Sequence, residues 1–110
     1  MAWRCYLVMS IEEMFDGTGG YRPGAMTWWN HQPAHPELDT DPRPRPHLAV
    51  MTPAGIACLD CPAASDPAQP GRYWARTGIP PDVTATPSLH VLPGRPDSWH
   101  GYLTSGTLNP

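Results

Sequence analysis

The chain has 110 residues, a formal net charge of −3, 40% hydrophobic and 15% charged residues, sixteen prolines and ten glycines; all of its seven basic residues are Arg. That length makes one domain with a modest core, and the proline spacing interrupts most windows that could hold a three-turn helix, which excludes helix-rich folds. The arginines stand singly among prolines and acids, not in a patch that would displace counterions from phosphates, and no apolar run approaches the roughly 20 residues that span a bilayer, so neither nucleic acid nor membrane is expected as a partner.

Five Trp and four Tyr argue against disorder in spite of the proline content. Three cysteines do not make a complete disulfide framework, which fits a chain made in a reducing compartment. The first ten residues, MAWRCYLVMS, run directly into Glu12-Glu13 and lack the architecture of a signal peptide.

Residues 3–9 (WRCYLVM) read as a buried strand. Ser10 and Glu13 have capping-box spacing ahead of Met14 and Phe15, with Gly17 closing a short helical turn. Residues 16–24 (DGTGGYRPG) are loop by composition. Ala25 to Trp29 is a second short strand, with Trp28 and Trp29 sending one indole to each side.

The segment 30–46 holds five prolines and little that is apolar. Its ordinary reading is a solvated, extended connector, and its functional reading is an arm that lies along a partner.

His47 to Cys61 (HLAVMTPAGIACLDC) reads as a hairpin turning at Pro53-Ala54-Gly55, apolar on both faces and so packed on two sides. A three-residue loop would set Val50 opposite Cys58 and His47 opposite Cys61, and a two-residue loop shifts every pair by one. Residues 62–71 are loop. Residues 72–77 (RYWART) form the next strand, with Trp74 and Arg76 on one side, and GIPPD turns the chain into Val83–Thr86, a strand expected to stop at Pro87.

The clearest signal is Ser88 to Leu108. A turn at Pro93–Asp97 sets Val91 opposite Trp99 and His90 opposite His100, and a two-residue turn at Ser105-Gly106 sets Leu103 opposite Leu108. Alternation then assigns Leu89, Val91, Trp99, Leu103 and Leu108 to a core face, and Ser88, His90, His100, Tyr102 and Thr104 to the other. About seven short strands, one minimal helical turn near the N-terminus, long Pro-rich loops and no βαβ alternation describe a single all-β domain over residues 1–110, a small antiparallel sandwich or partly open barrel.

Chemistry-bearing residues are few. Cys58-x2-Cys61 has the spacing of half a zinc site, with His47, His90 and His100 as candidate further ligands; the missing second pair favours plain thiols. Ser88 and Ser98 flank the two histidines but lie in hairpins, with no acid placed to orient either imidazole, which favours a solvated polar strand face over a hydrolase. The aspartates beside prolines and turns, among them Asp60 and Asp82, are expected to cap backbone amides. Trp3 and Trp99 belong to the core, whereas Trp28, Trp29 and Trp74 are open between core and a sugar-stacking or protein-binding platform.

The segment order HLAVMTPAG, RYWARTGIPPDVTATPS, SWHGYLTSGTL resembles small all-β proteins of unassigned role encoded by tailed phages and prophages. Trp74, Gly78, Pro80, Pro81 and Thr84 fit a W-x-x-x-G-x-P-P-x-x-T segment, and His100, Gly101, Tyr102, Leu103 and Gly106 fit a closing H-G-[aromatic or Leu]-L-x-x-G hairpin. The resemblance covers residues 47–108 and transfers no catalytic residue. It implies a virion protein made in the host cytoplasm. The expectation is therefore a non-enzymatic structural or accessory component of the phage capsid or tail, without a cofactor. It would contact other virion proteins, or itself as a symmetric oligomer, through Trp28, Trp29, Trp74, His90, His100 and Tyr102. The alternative is a small zinc module built on Cys58 and Cys61.

Overall fold

The computed structural model describes residues 2–29, 46–60, 75–91 and 98–110, without the side chains of Pro87 and His90. Among the described residues there are nine strands: β1 (Trp3–Arg4), β2 (Tyr6–Leu7), β3 (Ala25–Trp29), β4 (His47–Thr52), β5 (Gly55–Cys58), β6 (Ala75–Thr77), β7 (Thr84–Val91), β8 (Trp99–Thr104) and β9 (Thr107–Asn109). A single 3-10 turn spans Ile11–Met14. The strands make a five-stranded sheet of order β1-β9-β8-β7-β6 and a four-stranded sheet of order β2-β3-β4-β5. The two sheets stack as a sandwich, not a closed barrel. Pairing is antiparallel except between β2 and β3.

The C-terminal hairpins form as alternation predicts. Val91 pairs with Trp99 and His90 with His100, and Leu103 pairs with Leu108. Ser105 and Gly106 both take positive φ, 47° and 77°, the geometry whose twist matches a two-residue hairpin. Leu89, Leu103 and Leu108 are fully buried, with Val91, Trp3 and Trp99 packed against them. From the other sheet Met26, Leu48, Val50 and Ala57 complete this inter-sheet core. Each buried leucine contributes about 1.5–3 kcal/mol of transfer free energy.

The β4–β5 loop is the two-residue alternative: Thr52 pairs with Gly55, and Ala49, not Val50, pairs with Cys58. Every residue of β4 is buried. Leu48 and Val50 enter the inter-sheet core, and Ala49 and Met51 enter a second cluster with Met14 and Ala25, against which Val8, Ile11, Phe15 and Trp29 pack. The 3-10 turn therefore seals the outer face of the four-stranded sheet. Trp28 and Trp29 do point to opposite faces, pairing with Leu48 and His47 respectively.

Three local expectations change. Residues 3–9 are not one buried strand: β1 pairs with β9 and β2 with β3, so the chain crosses between sheets at buried Cys5, leaving Tyr6 and Leu7 exposed at an edge. Ser10 makes no side-chain cap, and the Glu13 carboxylate accepts not from Ser10 but from the residue before it, Met9 N to Glu13 Oε2 at 2.6 Å, so the capping box does not form. Pro87 does not end its strand. β7 runs through it, and the register with β8 shifts between Ala85 and Leu89, since a bulge is where a strand tolerates a residue that cannot donate to the ladder. Most of the 30–46 segment, the loop after Cys61, Trp74 and the 93–97 turn lie outside the described residues.

Candidate functional site

The two sheets differ in how they are covered. The four-stranded sheet is packed on both faces, whereas no described element lies over the outer face of the five-stranded sheet. There Thr77, Thr86, His100, Tyr102 and Thr104 are exposed, Tyr102 at 55%. Period-two alternation produces this face: the residues that bury Leu89, Leu103 and Leu108 necessarily turn their neighbours outward.

At its centre Ser88 Oγ lies 2.6 Å from His100 Nε2. The two are diagonal neighbours, since His100 is paired with His90 in the register, and the bulge that carries Ser88 lies within the same stretch of β7. The Tyr102 ring stands 6.1 Å from the imidazole at an interplanar angle of 38°. The His90–His100 apposition was legible from the turn, and alternation put Ser88 on the same face; the hydrogen-bond distance itself was not legible. At one edge of the sheet Arg4 reaches Asp82 at 2.5 Å and donates to Ser105 O at 3.0 Å, both in solvent.

The remaining predicted interface residues separate. Trp28 is 46% exposed but lies on the inner face of its strand, and the Arg76 guanidinium sits 5.3 Å from its ring centroid. Arg76 in turn makes a two-pronged pair with Asp60, from Nε at 2.7 Å and Nη2 at 3.1 Å. Asp60 is buried and also accepts from Leu48 N at 2.8 Å. The expectation that Asp60 holds a backbone amide is met; the arginine, from a strand of the other sheet, had no sequence signal. Trp29 belongs to the second apolar cluster, and Trp74 falls outside the described residues.

The described candidate zinc ligands, Cys58, His47 and His100, do not converge on one point. Cys58 pairs with Ala49, and His47 with Trp29, on the outer face of the four-stranded sheet, whereas His100 is on the outer face of the opposite sheet. What the structure brings to Cys58 is buried His47, with Nδ1 3.7 Å from Sγ. Cys58 is disulfide-bonded, and Cys61 lies outside the described residues, as does the side chain of His90. Among the described residues no group of three or more His, Cys, Asp or Glu is placed to hold a metal. Cys5 is a free, buried thiol whose pKa burial raises to about 11, against a smaller lowering by Arg4.

A hollow of about 480 Å³ opens beside the 3-10 turn, lined in part by Val8, Glu12, Glu13, Asp16 and Arg22. Two of its carboxylates serve the backbone. Glu13 takes the Met9 amide, and Asp16 Oδ1 accepts from Thr18 Oγ1 at 2.6 Å, Thr18 N at 2.8 Å and Gly20 N at 3.1 Å. The Thr18 bonds, side chain first, hold the Asp16 carboxyl below its ordinary pKa. This is how the glycine-rich loop organises itself.

The class defined by fold and site is a small β-sandwich with one sheet packed on both sides and the other, among the described residues, uncovered on its outer face. No family model, curated protein or solved structure matches the chain.

Proposed function

We propose that this chain is a non-enzymatic structural or accessory component of a tailed-phage particle, capsid or tail, acting through protein–protein contacts. The observation that carries the docking part is the asymmetry of covering: Tyr102, 55% exposed beside exposed His100, occupies the centre of the one sheet face over which no described element packs. A tyrosine offers a large, stiff contact area with a polar tip, the kind of side chain that anchors interfaces. The particle context is supported by the motif resemblance over residues 47–108. Mass spectrometry of purified particles tests it: the chain is expected as a stoichiometric component, and its absence from virions ends the reading. Tyr102→Ala is expected to lower incorporation without lowering the melting temperature.

A second reading, a zinc module, draws on the approach of His47 to Cys58. Thiolates, not a disulfide, ligate zinc, so this reading applies to the reduced protein. Elemental analysis of protein reduced and refolded in zinc tests it, and less than about a tenth of an equivalent of metal ends it.

A further inference from the structure

We infer that Ser88 is a nucleophile activated by His100, and that it takes up an acyl group from an activated ester or thioester. The inference goes beyond the docking role and does not depend on it. A serine hydroxyl is a weak nucleophile until a base within hydrogen-bond reach, about 2.6–3.2 Å, can accept its proton. Ser88 Oγ and His100 Nε2 meet at 2.6 Å.

The pair is held from both sides. Ser88 is half-buried in β7 at the stretch where the register shifts, and bulges re-aim side chains in this way. His100 is flanked by the Tyr102 ring at 6.1 Å, which limits the sweep of the imidazole. His100 is exposed, so its imidazole is reached from solvent.

With Nε2 unprotonated, Ser88 O–H donates to it. Attack of Oγ on the donor carbonyl forms the Oγ–C bond while the serine proton passes to Nε2. Collapse of the tetrahedral intermediate breaks the bond from carbon to the leaving oxygen or sulfur, and His100 returns the proton to that group. The products are O-acyl-Ser88 and a free alcohol, phenol or thiol, with no oxidant or metal required. The donors are those whose leaving group is already good, and the reaction ends at uptake.

The experiment uses p-nitrophenyl acetate with the full-length protein, reading phenolate release by absorbance and the modified residue by peptide mass mapping. Ser98, an exposed serine immediately before β8, is the internal reference. Ser88 is expected to acetylate at least about 10²-fold faster than Ser98, and His100→Gln to slow Ser88 by a similar factor, the range set by loss of a general base. Ser88→Ala should abolish the fast phase while melting as the wild type does. Equal rates at Ser88 and Ser98, acetylation confined to other residues, or an undiminished rate in His100→Gln would each overturn the assignment. The Ser88-to-Ser98 ratio is measured within one folded molecule and so needs no variant. Virion incorporation is read separately, so this result and the docking result can fail independently.

Discussion

Replacing Asp60 with Ala tests how the two sheets are joined. Asp60 is 3% exposed, and among the described residues its carboxylate accepts the amide of fully buried Leu48 at 2.8 Å and receives Arg76 from Nε at 2.7 Å and Nη2 at 3.1 Å. Losing the first strands a buried N–H, at about 1–3 kcal/mol. The second is worth less than a fully enclosed pair because the Arg76 side chain is 26% exposed, so about 1 kcal/mol is assigned to it. Together they make about 2–4 kcal/mol, and at about 4 °C per kcal/mol for a domain of this size the melting temperature falls by about 8–16 °C. Asp60→Asn keeps an oxygen for Leu48 and should cost about 1 kcal/mol, mostly the ion pair. Arg76→Ala should cost about the same, plus whatever its contact with Trp28 contributes. Urea and thermal unfolding of the three variants measure this directly. If Asp60→Asn proved as damaging as Asp60→Ala, the amide contact would not be the larger part, and the reasoning would fail.

Three further outcomes follow from the same geometry. A Cβ at Gly101 would lie inside van der Waals distance of Asn109 O and of the Trp99 ring, so Gly101→Ala should destabilise by about 1–3 kcal/mol, measured by urea unfolding. Cys5, with its pKa raised to about 11, should resist alkylation at neutral pH in the native state and react once the chain is unfolded in urea. Because the folded pKa lies above the ordinary 9.0, its contribution to stability is complete below pH 9.0 and is lost as pH rises towards 11. Asp16 has the opposite sign. Its lowered pKa means a contribution present above the ordinary 3.8 and lost as the carboxyl protonates below it. The gap in melting temperature between wild type and Asp16→Asn should therefore close as the pH falls below 3.8.

Much of the architecture was written in local pattern. Alternation placed Leu89, Val91, Trp99, Leu103 and Leu108 on one face, and Ser105-Gly106 set the register of the last hairpin, because side-chain period and turn chemistry act over a few residues. The apolar density of HLAVMT identified a strand packed on both faces. The pairing His90–His100 followed from the same arithmetic.

What tertiary structure alone decided are the features where a residue's partner lies far along the chain or where regular pairing breaks. The crossing between sheets at Cys5 is invisible in a run that reads as one apolar strand, since only the positions of β3 and β9 determine which sheet each half joins. Asp60 and Arg76 meet because two sheets stack, and neither residue's neighbours announce it. β7 continues through Pro87 with a shift in register, where the sequence pattern ended the strand. Sequence periodicity assumes an unbroken ladder, and at that point the ladder is broken.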